Sequence, residues 1–224
     1  TVRDDKGTVY EVKKTKTDKV IDIIINNVTD SQKLKDYVSR YVSSDLIELS
    51  EEELQTFRIP ERRFMSVSFT DLRGFTAMSE SLSPEEVRST MNEYLESIIL
   101  AINSNQATVD KIVGDEVMAL YGAPVYYQDH AFRAVKTACD QMHNLKELQI
   151  AFKQAGRVLP NCGIGINSGD MVVGNMGSST HQDYTVLGSA VNLAARLCGA
   201  AEESQVIISE NTLTSLIQHL PKKW

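Results

Sequence analysis

Two short stretches constrain this chain more than any others. Phe64-Met65-Ser66-Val67-Ser68-Phe69-Thr70 alternates apolar and small polar residues and runs into Asp71, after which Leu72-Arg73-Gly74-Phe75-Thr76 opens a loop. Asp110 to Gly122 holds two short apolar runs around Gly114-Asp115-Glu116. The first pattern predicts a strand that delivers Asp71 at its end, and the second a β-hairpin with Asp115 at its tip. Between them Ser83-Pro84-Glu85-Glu86 starts a helix, with proline in the first turn and acids at the positive end of the dipole. Val87, Met91, Tyr94, Leu95, Ile98 and Ile102 give that helix one apolar face. Taken singly, each aspartate reads equally well as a turn residue. Taken as a pair of carboxylates at neighbouring strand ends, they suit magnesium or manganese, which prefer oxygen ligands. Two such ions roughly 3.5–4 Å apart can clamp both oxygens of a phosphoryl displacement.

The rest of the chain frames this pair. Asp4-Asp5-Lys6-Gly7 is a turn signal, Thr8 to Thr17 is β-prone, and Val20 to Val28 carries Ile23-Ile24-Ile25, predicting an N-terminal hairpin. Thr29-Asp30-Ser31 offers an N-cap, and Leu34, Tyr37, Val38, Tyr41 and Val42 form one apolar helical stripe. A hairpin this small is no domain by itself. Residues 1–44 are therefore expected to be a hairpin-plus-helix extension, either the remnant of an upstream sensor or a plain structural addition; the capped-helix exit resembles the end of a PAS domain. Ser44 to Arg63, acidic and then basic, reads as a solvated helix and linker, and residues 45–224 as the main domain.

Within that domain Asp129 to Ala155 reads as a helix burying Phe132, Val135, Ala138, Cys139, Met142, Leu145 and Leu148, with Gly156 placed to end it. Leu159 to Ser168 reads as a strand whose Gly163 and Gly165 imply close backbone approach. Asp170 to Gly174 begins another strand, Asn175 to Gln182 is a polar excursion, and Asp183 to Leu187 resumes the sheet. A helix of small residues from Gly188 to Gly199, a strand Val206 to Ile208 and a helix Glu210 to His219 complete the pattern. Strand, helix, hairpin, helix, strand is an α+β, ferredoxin-like βαββαβ core. Its strand ends and hairpin tip converge at one edge.

Composition excludes some functions. With 42% hydrophobic and 24% charged residues the chain is globular, and a net charge of −7 argues against a nucleic-acid or anionic-membrane surface. No apolar run reaches the length of a membrane span, and no signal-peptide pattern opens the sequence. Cys139, Cys162 and Cys198, odd in number and in apolar or small-residue surroundings, read as buried reduced thiols of a cytoplasmic protein.

Four ordered motifs, FTDLRGFT, KIVGDEVMALYG, GIGINSGDMVVGNMG and YTVLGSAVNLAARL, resemble the catalytic domain of the class III nucleotidyl cyclases, from about Arg62 to about Leu213. The resemblance implies attack of a ribose 3′-oxygen on the α-phosphate of a nucleoside triphosphate, at sites shared by two head-to-tail chains of a homodimer. It implies two ions of magnesium or manganese on Asp71, Asp115 and the Leu72 carbonyl, and backbone at Gly74, Phe75 and Thr76 on the β- and γ-phosphates. From the second chain it implies Asn192 orienting the ribose and Arg196 stabilising charge on the phosphoryl group. Asn192 and Arg196 are spaced i, i+4, so both project from one helix face.

Lys111 stands where adenylyl cyclases carry lysine and guanylyl cyclases usually glutamate, which implies ATP as substrate. Adenine N1 accepts a hydrogen bond, whereas guanine N1–H would face the ammonium badly. Thr185 replaces the aspartate of many relatives and resembles the subgroup that includes bicarbonate-responsive enzymes. Two departures stand out: His181 lies near where some relatives place a triphosphate-binding arginine, and the family domain usually continues past this chain's end with a phosphate-binding lysine. The sequence is therefore expected to be an adenylyl cyclase domain, truncated or of low activity; the alternatives are a silent nucleotide-binding or dimerisation module and, against Lys111, a guanylyl cyclase.

Overall fold

The computed structural model describes residues 2–3, 9–17, 20–27, 60–178 and 182–220. The chain divides into two compact units, Thr1–Ser50 and Glu51–Trp224. In the first, strands β1 (Val2–Arg3), β2 (Val9–Thr17) and β3 (Val20–Asn27) form an antiparallel sheet in that order. Thr17 pairs with Val20 and Tyr10 with Asn27, so the predicted hairpin is β2–β3. The helix predicted over Leu34 to Val42 lies outside the described residues.

The second unit begins with β4 (Glu61–Leu72), which absorbs the end of the predicted linker, and a short helix α1 (Phe75–Ser79). Helix α2 (Pro84–Ser104) follows, then the hairpin β5 (Thr108–Val113) and β6 (Glu116–Tyr121), and helix α3 (His130–Gln154). Strands β7 (Cys162–Gly177) and β8 (Gln182–Leu187), helix α4 (Ser189–Ala200), strand β9 (Val206–Ile208) and helix α5 (Glu210–Gln218) complete it. The strand order is β5-β6-β4-β7-β8, with β9 parallel to β7. Its β5-β6-β4-β7 portion is the ferredoxin-like arrangement that the βαββαβ pattern predicts.

Local chemistry accounts for the elements. At the start of α2 the Ser83 hydroxyl accepts from the Glu86 amide while the Glu86 carboxylate accepts from the Ser83 amide at 2.9 Å, a reciprocal cap. The segments predicted as separate strands, 159–168 and 170–174, merge into one continuous β7 that starts only at Cys162 and runs on to Gly177, into the excursion predicted from Asn175. Its first half pairs with β9, its second with β8, and β4 runs alongside from Cys162 to Val173, so no residue between them is released from the ladder.

Alternation along β4 serves two buried faces. Met65, Val67 and Phe69 join Ala194 and Cys198 of α4 in one apolar cluster. The opposite face carries Ser66, Ser68 and Thr70, all buried beneath α2 and α3. These hydroxyls are satisfied: Ser66 Oγ lies 2.7 Å from His130 Nδ1 and 2.6 Å from Ser168 Oγ, and Ser68 Oγ is 3.1 Å from the Tyr121 hydroxyl. Thr70 donates to Gln141 Oε1 at 3.0 Å. Around them Tyr94, Ile98, Ile102, Leu145, Phe152, Ile164 and Ile166 form the larger apolar cluster, each such side chain contributing about 1.5–3 kcal/mol by burial.

On α3 the buried seam runs His130, Ala134, Thr137, Ala138, Gln141, Leu145 and Phe152. Cys139 falls off that seam and is exposed, which corrects its assignment as a buried thiol; Cys162 and Cys198 are buried as expected. Burial pushes their thiols up to about 12 and about 11. No helix among the described residues is long and apolar enough to cross a membrane.

Burial, with the nearby His219 charge adding to it, lowers the pKa of His130 from 6.5 to about 4. The unfolded chain binds this proton more readily than the folded one, so the stability that neutral His130 confers is complete above pH 6.5 and is lost as pH falls through 4. Denaturant unfolding between pH 7 and 4 is expected to show a decline of at most about 3 kcal/mol from this group, and His130→Gln should flatten that slope.

Candidate active site

Asp71 sits at the end of β4 and Asp115 in the two-residue turn between β5 and β6. Because β4 pairs with β6 at Thr70↔Val117, the next residues toward the turn come level with Asp71. Gly114 takes φ +62, a left-handed conformation open to glycine, and this makes the turn tight enough to leave Asp115 at the tip. Tyr94, fully buried on α2, donates its hydroxyl to the Asp115 carbonyl at 3.1 Å and pins the turn from beneath. Sequence periodicity marks Tyr94 only as a core residue.

The two carboxylates face each other. Burial first, and then the Asp115 charge, push the Asp71 pKa up to about 6, against the opposing pull of Arg73. Glu116, next in sequence, has its own pKa raised by burial and by Asp115. A cluster of carboxylates that resist joint ionisation calls for positive charge. Arg73 supplies part of it, with Nη1 2.6 Å from Asp71 Oδ2. The same guanidinium donates through Nε to the Ala201 carbonyl at 3.0 Å and through Nη2 to the Cys198 carbonyl, so it also closes the C-terminal end of α4. A methyl group at Gly163 would overlap this guanidinium, and one at Gly165 would overlap the Cys198 backbone, which is the close approach that those glycines imply.

The residues present fit a divalent cation that keeps waters or takes phosphate oxygens. Asp71 and Asp115 could offer two hard oxygen donors, with the Leu72 carbonyl next along the strand, while no group of three or more His, Cys, Asp or Glu poised to hold a metal occurs among the described residues. Gly74 precedes α1 in a left-handed conformation, and Phe75 and Thr76 form its first turn beside Asp71.

The remaining predicted residues fall in two places. Lys111 is on β5 with its ammonium 3.2 Å from Asp110 Oδ2, and the Thr185 hydroxyl of β8 faces that same Asp110 carboxylate. In ladder order β5 and β8 are opposite edges, yet Val186 of β8 packs with Met118 and Leu120 of β6 in one cluster, so the sheet curls across. Asn192 and Arg196 are exposed on α4, whose Ala194 and Cys198 are buried, and neither forms a hydrogen bond or ion pair among the described residues. The single chain thus joins Asp71 to Asp115, gathers Lys111 and Thr185 at Asp110, and leaves Asn192 and Arg196 exposed. His181 lies outside the described residues.

Comparison with known proteins agrees with this layout. The chain is 32% identical to an adenylate cyclase of Anabaena cylindrica over 157 residues, covering 69% of this chain and 31% of that one. It spans about a third of the length of the curated relatives it matches. Among solved structures, the guanylyl cyclase Cya2 superposes with a TM-score of 0.67 at 38% identity, over 70% of this chain and 80% of that one. The adenylyl cyclase CyaB from P. aeruginosa gives 0.69 at 34%, over 71% and 83%. A family model described as the adenylate and guanylate cyclase catalytic domain matches residues 59–222, and the chain belongs to that family.

Proposed function

We propose that the chain is an adenylyl cyclase catalytic domain, forming 3′,5′-cyclic AMP and pyrophosphate from ATP at sites shared between two copies of itself. The observation that carries the choice of ATP is Lys111. Its ammonium is held beside the Asp110 carboxylate, which Thr185 also faces, and it can only donate. Adenine offers N1 as an acceptor and a 6-amino group as a donor. Lys111 meets the first and the Thr185 hydroxyl accepts from the second.

Asp71 and Asp115, with the Leu72 carbonyl, hold magnesium or manganese, two per site. When bound, such ions neutralise the triphosphate and lower the pKa of the attacking ribose hydroxyl. Backbone at Gly74, Phe75 and Thr76 orients the β- and γ-phosphates. Asn192 of the second chain hydrogen-bonds the ribose ring and fixes the 3′-oxygen behind the α-phosphate. Arg196, one turn further along the same helix face, donates to the α-phosphoryl oxygens as charge builds there. The exposure of Asn192 and Arg196 on one helix face supports this division of labour between two copies.

A guanylyl cyclase is the second reading, favoured by the 38% identity to Cya2, itself a guanylyl cyclase. Product analysis separates the two. Purified protein given ATP or GTP with manganese is expected to make cyclic AMP at a rate at least about tenfold above cyclic GMP, since the wrong base meets the Lys111 donor with a donor of its own. Predominance of cyclic GMP would reverse the assignment. Bicarbonate at fixed pH is a further arm of the same assay, with a rise in rate expected if the Thr185 subgroup likeness extends to regulation.

The shared site has its own test. Asp71→Ala and Asn192→Ala each disable both sites of a homodimer, but a mixed dimer keeps one intact. Mixing the two inactive variants is expected to restore up to about a quarter of wild-type activity, given random pairing and independent sites. Silence after mass spectrometry has shown mixed dimers would contradict the two-chain site.

A further inference from the structure

The pairing of β5 with β6 slips by one residue between Val109, opposite Ala119, and Lys111, opposite Met118. Asp110 is the extra residue of a β-bulge, a device that re-aims a side chain out of the strand's alternation. Here it turns a carboxylate fully inward: the Asp110 side chain is 0% exposed, beside a Lys111 whose own side chain is about half exposed. Neither Asp110 oxygen closes a hydrogen bond among the described residues, and the same holds for the buried Thr185 hydroxyl that faces it. Burial raises the Asp110 pKa, Thr185 and Lys111 pull it down, and the charge of Asp183 pushes it up again. Burying a carboxylate without full pairing is costly, and such groups in native proteins usually have a task.

That task follows from an ambiguity in Thr185. A hydroxyl can accept from the adenine amino group or donate to guanine O6, so alone it discriminates poorly between the two bases. A neighbouring carboxylate only accepts. If it takes the hydroxyl proton, the oxygen lone pair is what remains for the base.

We propose that Asp110 is the positioning residue of the base pocket: its carboxylate accepts a hydrogen bond from the Thr185 hydroxyl and holds the Lys111 ammonium. The pocket then offers one acceptor and one donor in the arrangement that adenine fits and guanine does not. This rests on the reading of Lys111 and Thr185 as base contacts, and it makes one bulge residue the origin of their polarity. Asparagine at 110 would donate its amide N–H to the Thr185 oxygen and free the hydroxyl proton to meet guanine O6.

The test is the ratio of dissociation constants for 3′-deoxy-ATP and 3′-deoxy-GTP, which lack the attacking hydroxyl and so bind without reacting, measured with manganese. Asp110→Asn is expected to cut the preference for the adenine nucleotide by about tenfold, one hydrogen bond's worth. In a Thr185→Val background the same substitution should change the ratio by less than about twofold, since coupled residues are non-additive. Should the asparagine variant not fold, Asp110→Ser reads the same ratio with a smaller uncharged group. Equal weakening toward both nucleotides, or an identical drop with and without the Thr185 hydroxyl, would make Asp110 merely structural and overturn the proposal. If Lys111→Ala shifts the ratio and Asp110→Asn does not, the role of Asp110 alone falls. If neither shifts it, the base-contact reading falls with it.

Discussion

Mutual repulsion between Asp71 and Asp115 is the constraint on which the rest of this domain turns. The β4–β6 register and the Gly114 turn force two acids together, and burial first, with the Asp115 charge adding to it, keeps the carboxyl of Asp71 from ionising until about pH 6. Folding tolerates this because the unit around the pair is well packed. Two apolar clusters cover both faces of β4, and the polar face beneath α3 is hydrogen-bonded from Ser66 to Gln141. The strain is local, and it sits where the positive charge of a bound metal ion would relieve it.

Arg73 is the second element of that site and ties it to α4. One guanidinium pairs with Asp71 and also caps the carbonyls of Cys198 and Ala201, lying over Gly163 where any side chain would clash. The helix that presents Asn192 and Arg196 is thereby anchored at its C-terminal end to the strand that carries Asp71. In a two-site dimer each chain would then contribute its carboxylates to one site and its helix face to the other from a single rigid unit.

Much of this was legible in the sequence because it is written in local periodicity. Alternation in 64–70, a Gly-Asp turn between apolar runs and the i, i+4 pair on α4 are short-range signals, and the elements appear where those signals place them. What escaped depends on tertiary pairing. The bulge at Asp110 exists only against β6, and the curl that brings β8 over to β5 only once α4 packs. Tyr94 reads as core because its hydroxyl's partner, the Asp115 carbonyl, lies on another element. Cys139 falls outside its expected place because the seam of α3 buries Thr137 and Gln141, polar residues that hydrophobicity does not mark, and Gln141 accepts from the strand hydroxyl of Thr70. The break expected within β7 is absent for a related reason: each half has its own partner strand.

The most direct measurement of the central claim is manganese binding in the presence of 3′-deoxy-ATP, followed by electron paramagnetic resonance on wild type and Asp71→Asn. Facing carboxylates predict two ions per site in wild type, an affinity that falls as pH drops through about 6, and loss of tight binding in the variant. Unchanged stoichiometry and affinity in Asp71→Asn would show that the paired carboxylates do not hold the metal.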